Sequence, residues 1–201
     1  RALLFDREGM LWIAGNARGL ARLDPAESRF TWYAHDPAGP ESVAANRLAI
    51  LFEDRHGLLV VGSWVNGFSI NDPRTRAFSQ VNSVPGDART LPARGAVSVY
   101  ADPDDTLWAG VIEDGGLVHL DPRRGVSERF IHDPDRSDSL AHDFVQFVTR
   151  SRDGSLWIAT GGGGLDRMRP GSRVFEHTRH DADDPASLAS DTLLTFYEDR
   201  E

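Results

Sequence analysis

Short hydrophobic runs, each bounded by turn-forming residues, dominate the chain. Residues 48–52, 58–62, 67–71 and 78–81 form four such runs in a single stretch of sequence, and the last two alternate apolar and polar positions. Runs of this length between Gly, Pro and Asp residues are typical of short antiparallel strands. No apolar face recurs at helical spacing. The pattern therefore predicts an all-β fold.

The same four runs occur four times, at offsets of 48, 48 and 49 residues. Landmarks that keep this spacing are the turns that begin at Asp6, Asp54, Asp102 and Ser151, and the glycine–apolar pairs that begin at Gly19, Gly67, Gly116 and Gly164. A repeat of 40–50 residues with four strands is typical of one β-propeller blade. The sequence therefore predicts a partial ring of about four blades from a larger propeller.

The predicted blades span residues 1–45, 46–93, 94–142 and 143–190, and residues 191–201 begin a fifth. Antiparallel order within each blade predicts two different faces. Asp-Arg-x-Gly and Asp-Pro turns lie on one face, and Gly-rich loops and long His-Asp-Pro loops lie on the other. The second face is the more variable one, so we expect binding there.

Composition excludes several functions. The formal net charge is −9, with basic residues scattered along the chain, which disfavours a nucleic-acid partner. There are no cysteines, and all 22 basic residues counted as Lys or Arg are arginine. Thiolate metal sites, Schiff-base chemistry and a P-loop lysine are therefore excluded. We expect no cofactor.

The repeat resembles the two-component-regulator propeller repeat. Residues 153–160 with 163–167 match that pattern closely, as do residues 11–15 with 19–25. The second copy departs from it at Val60, where tryptophan is expected, and the third at Asp105, where glycine is expected. The resemblance covers essentially the whole chain.

This resemblance implies a sensory role. Members of the family form the extracytoplasmic, periplasmic input region of bacterial membrane-bound signalling proteins, whose outputs are histidine kinases or diguanylate cyclases. Many of the hybrid kinases sense oligosaccharides. Their repeats form seven-bladed rings, so the resemblance implies that the remaining blades lie in the parent chain or are supplied by a second copy.

Most chemically suggestive residues follow the repeat, which favours a structural role for them. Trp12, Trp108 and Trp157 share one position and are expected to pack between sheets. The His-Asp-Pro loops suggest a metal site, but these residues also form side-chain-to-backbone turns. We expect capping there and no metal. Asn46, Asp143 and Asp191 are expected to cap a short turn before the inner strand.

The candidate ligand-binding residues are those that break the repeat: Trp64, Asn66, Arg94, Glu113 and Asp114. Trp64 lies in a Gly-rich loop, where it can stack on a sugar ring or pack on a neighbouring blade. Arg94 replaces the Asn/Asp of the other copies and is a candidate contact for an acidic ligand. Glu113 and Asp114 are an insertion.

Three functions stay open from the sequence. The first is a ligand-sensing input domain, and the second is a propeller scaffold that binds proteins. The third is an enzyme such as a propeller lyase or glycoside hydrolase, which needs residues that converge on one point rather than follow the ring. No catalytic residue is assigned.

Overall fold

The computed structural model describes residues 2–72, 75, 77–92, 95–112 and 115–199. Over these residues the chain forms four separate four-stranded antiparallel sheets, which we call blades 1 to 4. Blade 1 contains β1 (Leu3–Phe5), β2 (Leu11–Ala14), β3 (Leu20–Asp24) and β4 (Arg29–Tyr33), and blade 2 contains β5 (Leu48–Glu53), β6 (Leu59–Ser63), β7 (Phe68–Asn71) and β8 (Phe78–Val81). Blade 3 contains β9 (Ala96–Ala101), β10 (Leu107–Val111), β11 (Gly116–Asp121) and β12 (Gly125–Phe130), and blade 4 contains β13 (Val145–Arg150), β14 (Leu156–Thr160), β15 (Leu165–Met168) and β16 (Glu176–Thr178).

The strands of each blade lie side by side in chain order. The first strands of successive blades, β1, β5, β9 and β13, contact one another and form the inner side of the array. The all-β, four-strands-per-repeat prediction is therefore confirmed. In the described part of the chain, no helix is long and apolar enough to cross a membrane.

The turn between the first two strands of each blade has the backbone that its glycine predicts. Gly9, Gly57 and Gly154 have φ values of 80°, 84° and 82°. At the equivalent position of blade 3, Asp105 also adopts a positive φ, of 68°. Aspartate tolerates this left-handed region better than most residues, which explains how the departure from glycine leaves the turn intact.

Two of the three second-strand tryptophans, Trp12 and Trp108, pack between blades as predicted, whereas Trp157 is only partly buried and belongs to none of the buried clusters. Trp12 packs with Leu51, Val61 and Phe78 of blade 2. Trp108 packs with Val145 and the core of blade 4 in the same way. Their indole N–H groups donate to the carboxylates of the preceding turns, Asp6 at 2.7 Å and Asp102 at 2.9 Å. The buried polar end of each ring is thereby satisfied.

The third-strand residue that pairs with the tryptophan position differs between blades. Arg22 lies over Trp12 and Arg167 over Trp157, with 5.5 Å and 5.2 Å from guanidinium carbon to ring centroid. His119 stacks on Trp108 at 4.4 Å. In blade 2 the pair is Val60 and Ile70. The missing tryptophan of the second copy is therefore matched by an apolar partner, and the position stays packed.

Residues 191–199 occupy the place of the inner strand of a further blade. Leu193 N donates to the Thr160 carbonyl at 2.9 Å, as Leu48 N donates to the Gly15 carbonyl at 3.0 Å between blades 1 and 2. Phe196 packs edge-on against Phe147, with centroids 5.2 Å apart. Residues 191–199 thus contact blade 4 at its inner side, and the Leu193 bond matches one that joins β5 to blade 1.

Candidate ligand-binding face

The Gly-rich loops and the long connections between blades lie together on one face, which we call the loop face. Each loop after a second strand bonds to the residues just before an inner strand of the same blade. Trp64 N donates to the Arg47 carbonyl at 3.2 Å, and Gly161 N donates to the Phe144 carbonyl at 2.8 Å. These bonds place the repeat-breaking residues Trp64 and Asn66 close to the inner side of the array.

The His-Asp-Pro connections are structural. In three of them the histidine Nδ1 lies within 2.9 Å of a backbone carbonyl eight residues later. The following aspartate N–H donates to a serine hydroxyl six residues later. These pairs are His35 with Val43, His132 with Leu140 and His180 with Leu188, then Asp36 with Ser42, Asp133 with Ser139 and Asp181 with Ser187. The capping prediction is confirmed.

Asn46, Asp143 and Asp191 act over a longer range than predicted. Each side-chain oxygen accepts the backbone N–H of the histidine eleven residues earlier, at 2.6 to 2.8 Å. They therefore join the two ends of the long connection instead of capping a local turn. The prediction was wrong about the partner because sequence spacing does not show that the connection folds back on itself. Among the described residues, no group of three acidic or histidine side chains is placed to hold a metal ion.

Trp64 lies in the Gly-rich loop of blade 2, on the loop face. Its side chain is half-buried and belongs to none of the three buried clusters between blades. The Arg47 guanidinium lies 5.9 Å from its ring centroid, a cation–π distance. The Trp64 carbonyl lies against Gly95 of blade 3, where an added Cβ would approach to 2.7 Å. Backbone packing thus fixes the loop while the ring stays partly open.

Asn66 holds this loop in place. Its N–H donates to the Ser63 hydroxyl at 2.8 Å, and its Nδ2 donates to the Ala44 carbonyl at 2.9 Å. The side-chain amide is therefore used at least in part to tie the loop to the connection from blade 1. The other three candidates, Arg94, Glu113 and Asp114, lie outside the described residues.

The four-glycine loop of blade 4 is a hairpin turn, as predicted. Thr160 Oγ1 accepts the Gly163 N–H and donates to the Gly164 carbonyl, both at 2.9 Å. The Phe144 ring covers Gly161, where a Cβ would approach to 2.7 Å of it. Blades 2 and 4 therefore each have one aromatic side chain at the loop after the second strand. In blade 2 it is Trp64 of the loop itself, and in blade 4 it is Phe144, just before β13.

A cleft on the opposite face was not predicted from the sequence. It lies between blades 1 and 2 at the Asp-Arg-x-Gly turns, has a volume of about 470 Å³, and is lined in part by Trp12, Arg22, Tyr33, Glu53 and Asn71. Arg22 Nε is buried there and has no hydrogen-bond partner among the described residues. The same nitrogen of Arg167 donates to Ser155. Blade 1 has Met10 at the position of Ser155, which explains the missing acceptor.

A buried His–Asp pair in blade 4 also escaped sequence analysis. His177 Nδ1 lies 2.7 Å from Asp166 Oδ1, and His177 Nε2 lies 2.9 Å from the Ser137 carbonyl. Burial raises the pKa of Asp166, whose other oxygen accepts the Ala141 N–H at 2.7 Å. Both imidazole nitrogens are occupied and the carboxyl is fully buried. The pair therefore fastens the connection between blades 3 and 4 and has no free atom for a substrate.

Comparison with known proteins supports the fold. No model of a known protein family matches the chain, and no curated protein matches its sequence. Among solved structures it is similar to the extracellular domain of BT4673 from B. thetaiotaomicron, described as a hybrid two-component system. The TM-score is 0.67 at 23% identity, over 88% of this chain and 24% of that one.

Two further structures extend this comparison. The extracellular domain of BT3049, a similarly described system of B. thetaiotaomicron, has a TM-score of 0.61 at 20% identity, over 98% of this chain and 30% of that one. A streptogramin B lyase has a TM-score of 0.59 at 15% identity, over 86% of this chain and 52% of that one. The chain spans 24% and 30% of the length of the BT4673 and BT3049 domains. At these identities the likeness shows the propeller fold.

Proposed function

We propose that this chain is part of the extracytoplasmic sensor propeller of a bacterial membrane-bound signalling protein, and that its loop face binds an oligosaccharide. The parent protein would carry a histidine kinase or diguanylate cyclase output and reside in the inner membrane with this region in the periplasm. Further blades, from the parent chain or a second copy, would complete a ring of about seven. The fold shared with the extracellular domains of BT4673 and BT3049 supports this proposal.

The observation that carries the ligand class is the half-exposed indole of Trp64 beside Arg47. An aromatic ring offers a flat apolar surface to the C–H face of a pyranose, and a guanidinium offers several donors to hydroxyl or carboxylate oxygens. Trp64 breaks the repeat and lies outside the packed clusters, so packing between blades does not account for it. Arg94, Glu113 and Asp114, which lie outside the described residues, remain proposed contacts.

A lyase or hydrolase function has less support. The streptogramin B lyase shares the fold at 15% identity, but the Asp166–His177 pair is closed to substrate by its own hydrogen bonds. His56 lies 2.9 Å from Asp105, yet both side chains are more than half exposed, whereas catalytic groups act most strongly in sites that exclude water. We therefore propose that this region is non-catalytic.

The proposal is tested by a thermal-shift screen of the full-length protein with neutral and acidic oligosaccharides, followed by calorimetry on any hit. A ligand that binds the native state raises the melting temperature. Trp64→Ala should weaken binding at least ~10-fold, which corresponds to loss of one stacking contact, while the melting temperature without ligand changes little. Val65→Ala, at the neighbouring exposed position, is the matched control.

No shift across the panel would contradict the sensor proposal and favour a protein-binding scaffold. Undiminished binding by Trp64→Ala would remove Trp64 from the site while leaving the sensor proposal standing.

A further inference from the structure

One face of blade 1 is entirely apolar, and the large side chains of its first and last strands are exposed. It points away from blade 2 and consists of two rows of directly paired residues across the four strands: Leu3, Ile13, Ala21 and Trp32, then Phe5, Leu11, Leu23 and Phe30. Leu3, Phe5, Phe30 and Trp32 are 70%, 66%, 50% and 56% exposed. A contiguous apolar surface of this kind marks an interaction site.

The equivalent face of the other blades shows what covers it. Phe78 and Phe175 occupy the position of Phe30 in blades 2 and 4, where they are only 2% and 5% exposed. An aromatic residue of the preceding blade packs edge-on against each of them, Tyr33 at 5.4 Å and Phe130 at 5.5 Å between centroids. In blades 2 and 4 this face is therefore covered by the preceding blade.

Polar residues on the covered faces bind the preceding blade and its connection. In blade 2, Ser69 accepts the Ala44 N–H and Gln80 donates to the Ser42 carbonyl. In blade 4, Asp166 accepts the Ala141 N–H. An ion pair adds to each: Glu53 of blade 2 with Arg7, and Arg150 of blade 4 with Asp102. These groups recognise backbone and charge as well as shape.

Blade 1 has none of these polar groups. Phe5 stands where blade 2 has Glu53, Ala21 where it has Ser69, Leu23 where it has Asn71 and Trp32 where it has Gln80. A preceding blade with an arginine at the position of Arg7 would find no carboxylate there. The face of blade 3 towards blade 2 is intermediate, since Ala101 and Val118 occupy the positions of Glu53 and Ser69. Arg55 of blade 2 still pairs with Asp105 in the turn of blade 3 at 3.0 Å, but blade 1 has Gly9 at the position of Asp105.

We propose that this face binds a further blade of the same polypeptide, and that this blade joins blade 1 through apolar contacts alone, without the ion pair and side-chain-to-loop bonds of the internal junctions. The covering blade presents an aromatic side chain to Phe30, as Tyr33 does to Phe78, and an apolar residue to Phe5. The junction at this face of blade 1 is therefore apolar throughout, unlike the internal junctions. The inference does not depend on what the loop face binds.

The test is made in the full-length protein. Residues of this face are replaced one at a time by the residues that blade 2 has at the same positions. Phe5→Glu and Trp32→Gln should each lower the melting temperature by at least ~2 °C, because a buried apolar contact is replaced by an unpaired polar group. Val84→Asp is the control. Val84 is 53% exposed, and aspartate is the residue of the other connections at this position, so no loss is expected.

Three results would overturn the proposal. A higher melting temperature for Phe5→Glu would show that the covering blade carries the usual arginine. An unchanged melting temperature for both variants would show that nothing covers the face. Loss of a dimer in light scattering, with the melting temperature of the separated chains unchanged, would assign the face to a second copy. Failure of the sensor proposal would appear separately, in the ligand screen.

Discussion

The junction between blades 1 and 2 and the junction between blades 3 and 4 solve the same packing problem with different electrostatics. Both bury a second-strand tryptophan to 5% exposure, Trp12 in one and Trp108 in the other. Both also cross the junction with an ion pair. Arg7 contacts Glu53 at 2.7 Å with half of its side chain in solvent. Arg150 contacts Asp102 at 2.5 Å, with side chains only 22% and 10% exposed.

The direction of charge is reversed between the two junctions. The earlier blade supplies the cation Arg7 in the first and the anion Asp102 in the second. Asp102 also accepts the Trp108 indole N–H, so its carboxylate serves both the core and the ion pair. Both junctions thus keep an aromatic core. The ion pair beside it differs in which blade supplies the cation and in how far it is buried.

Removing the aromatic core is expected to have the largest effect. Trp108→Ala should lower the free energy of unfolding by about 3–5 kcal/mol, since it removes a buried indole and leaves a cavity between blades 3 and 4. Trp157→Ala is the control, because Trp157 is only partly buried. Urea denaturation measures both. Equal losses for the two variants would contradict the assignment of Trp108 to the junction core.

The two ion pairs should differ in strength. Arg150→Met should cost about 3 kcal/mol because it leaves the mostly buried Asp102 carboxylate without its cation. Arg7→Met should cost less than about 1 kcal/mol, since its pair lies at the exposed rim. Methionine retains most of the apolar stem in both cases. A double-mutant cycle with Asp102→Asn isolates the pair, and a coupling no larger than that of Arg7 with Glu53 would refute the difference in depth.

The blades themselves could be predicted from sequence because each strand is a short apolar or alternating run, and each turn between the first two strands carries its own glycine or aspartate. The partners across a junction could not. Asn46 accepts from His35 eleven residues away, and Asp166 meets Ala141 twenty-five residues away, so no local spacing predicts either contact. Departure from the repeat singled out Trp64, which is half-buried in the loop of blade 2 and whose contact with a ligand stays a prediction, but it missed the Asp166–His177 pair.

One signal could have found such contacts. Positions that depart from the repeat do so in pairs. Ala44 and Ala141 donate their N–H groups to Ser69 and Asp166. At the junction of blades 2 and 3 the corresponding residues are Pro92, which has no N–H, and Val118, which has no acceptor. Comparison of the copies with one another therefore holds three-dimensional information that a single copy lacks.

Pro92 and Val118 stand at the positions of Ala44 and Ser69. This pairing predicts that a second substitution can compensate for the first. Ser69→Val leaves the buried Ala44 N–H without a partner and should cost about 1–3 kcal/mol. Adding Ala44→Pro removes that donor and recreates the residues of the next junction, so the double variant should recover most of the loss. Chemical denaturation of the two single variants and the double variant gives the coupling. Additive losses would show that the two positions act independently.

Ser69 of blade 2 and Asp166 of blade 4 occupy the same position of the repeat, and only Asp166 can titrate. Stability of the junction between blades 3 and 4 should therefore depend on pH in a way that the junction between blades 1 and 2 does not. Because burial raises the pKa of Asp166, the native state keeps its proton at pH values where the unfolded chain has lost it. Its contribution to stability is therefore present below the unfolded pKa of about 3.9 and is lost as the pH rises through the raised native pKa. Asp166→Ser, the residue of blade 2, should flatten this decline.

The measurement is the free energy of unfolding from pH 3.5 to pH 7, a window chosen to begin at about the unfolded pKa of an aspartate. Ser69→Ala is the control, because it alters the equivalent site of blade 2 without removing a titrating group. An unchanged pH profile for Asp166→Ser would mean that the Asp166 carboxyl titrates as it does in the unfolded chain.

Residues 191–199 have a consequence for how the molecule is built. Glu198 contacts Arg152 at 3.5 Å, repeating the pair of Arg7 with Glu53, and Leu193 is bonded to Thr160 as Leu48 is to Gly15. The first contact lies at the face of the Asp-Arg-x-Gly turns and the second at the loop face. Blade 4 therefore holds this segment at both faces, as blade 1 holds β5, so the inner position is where one blade is coupled to the next.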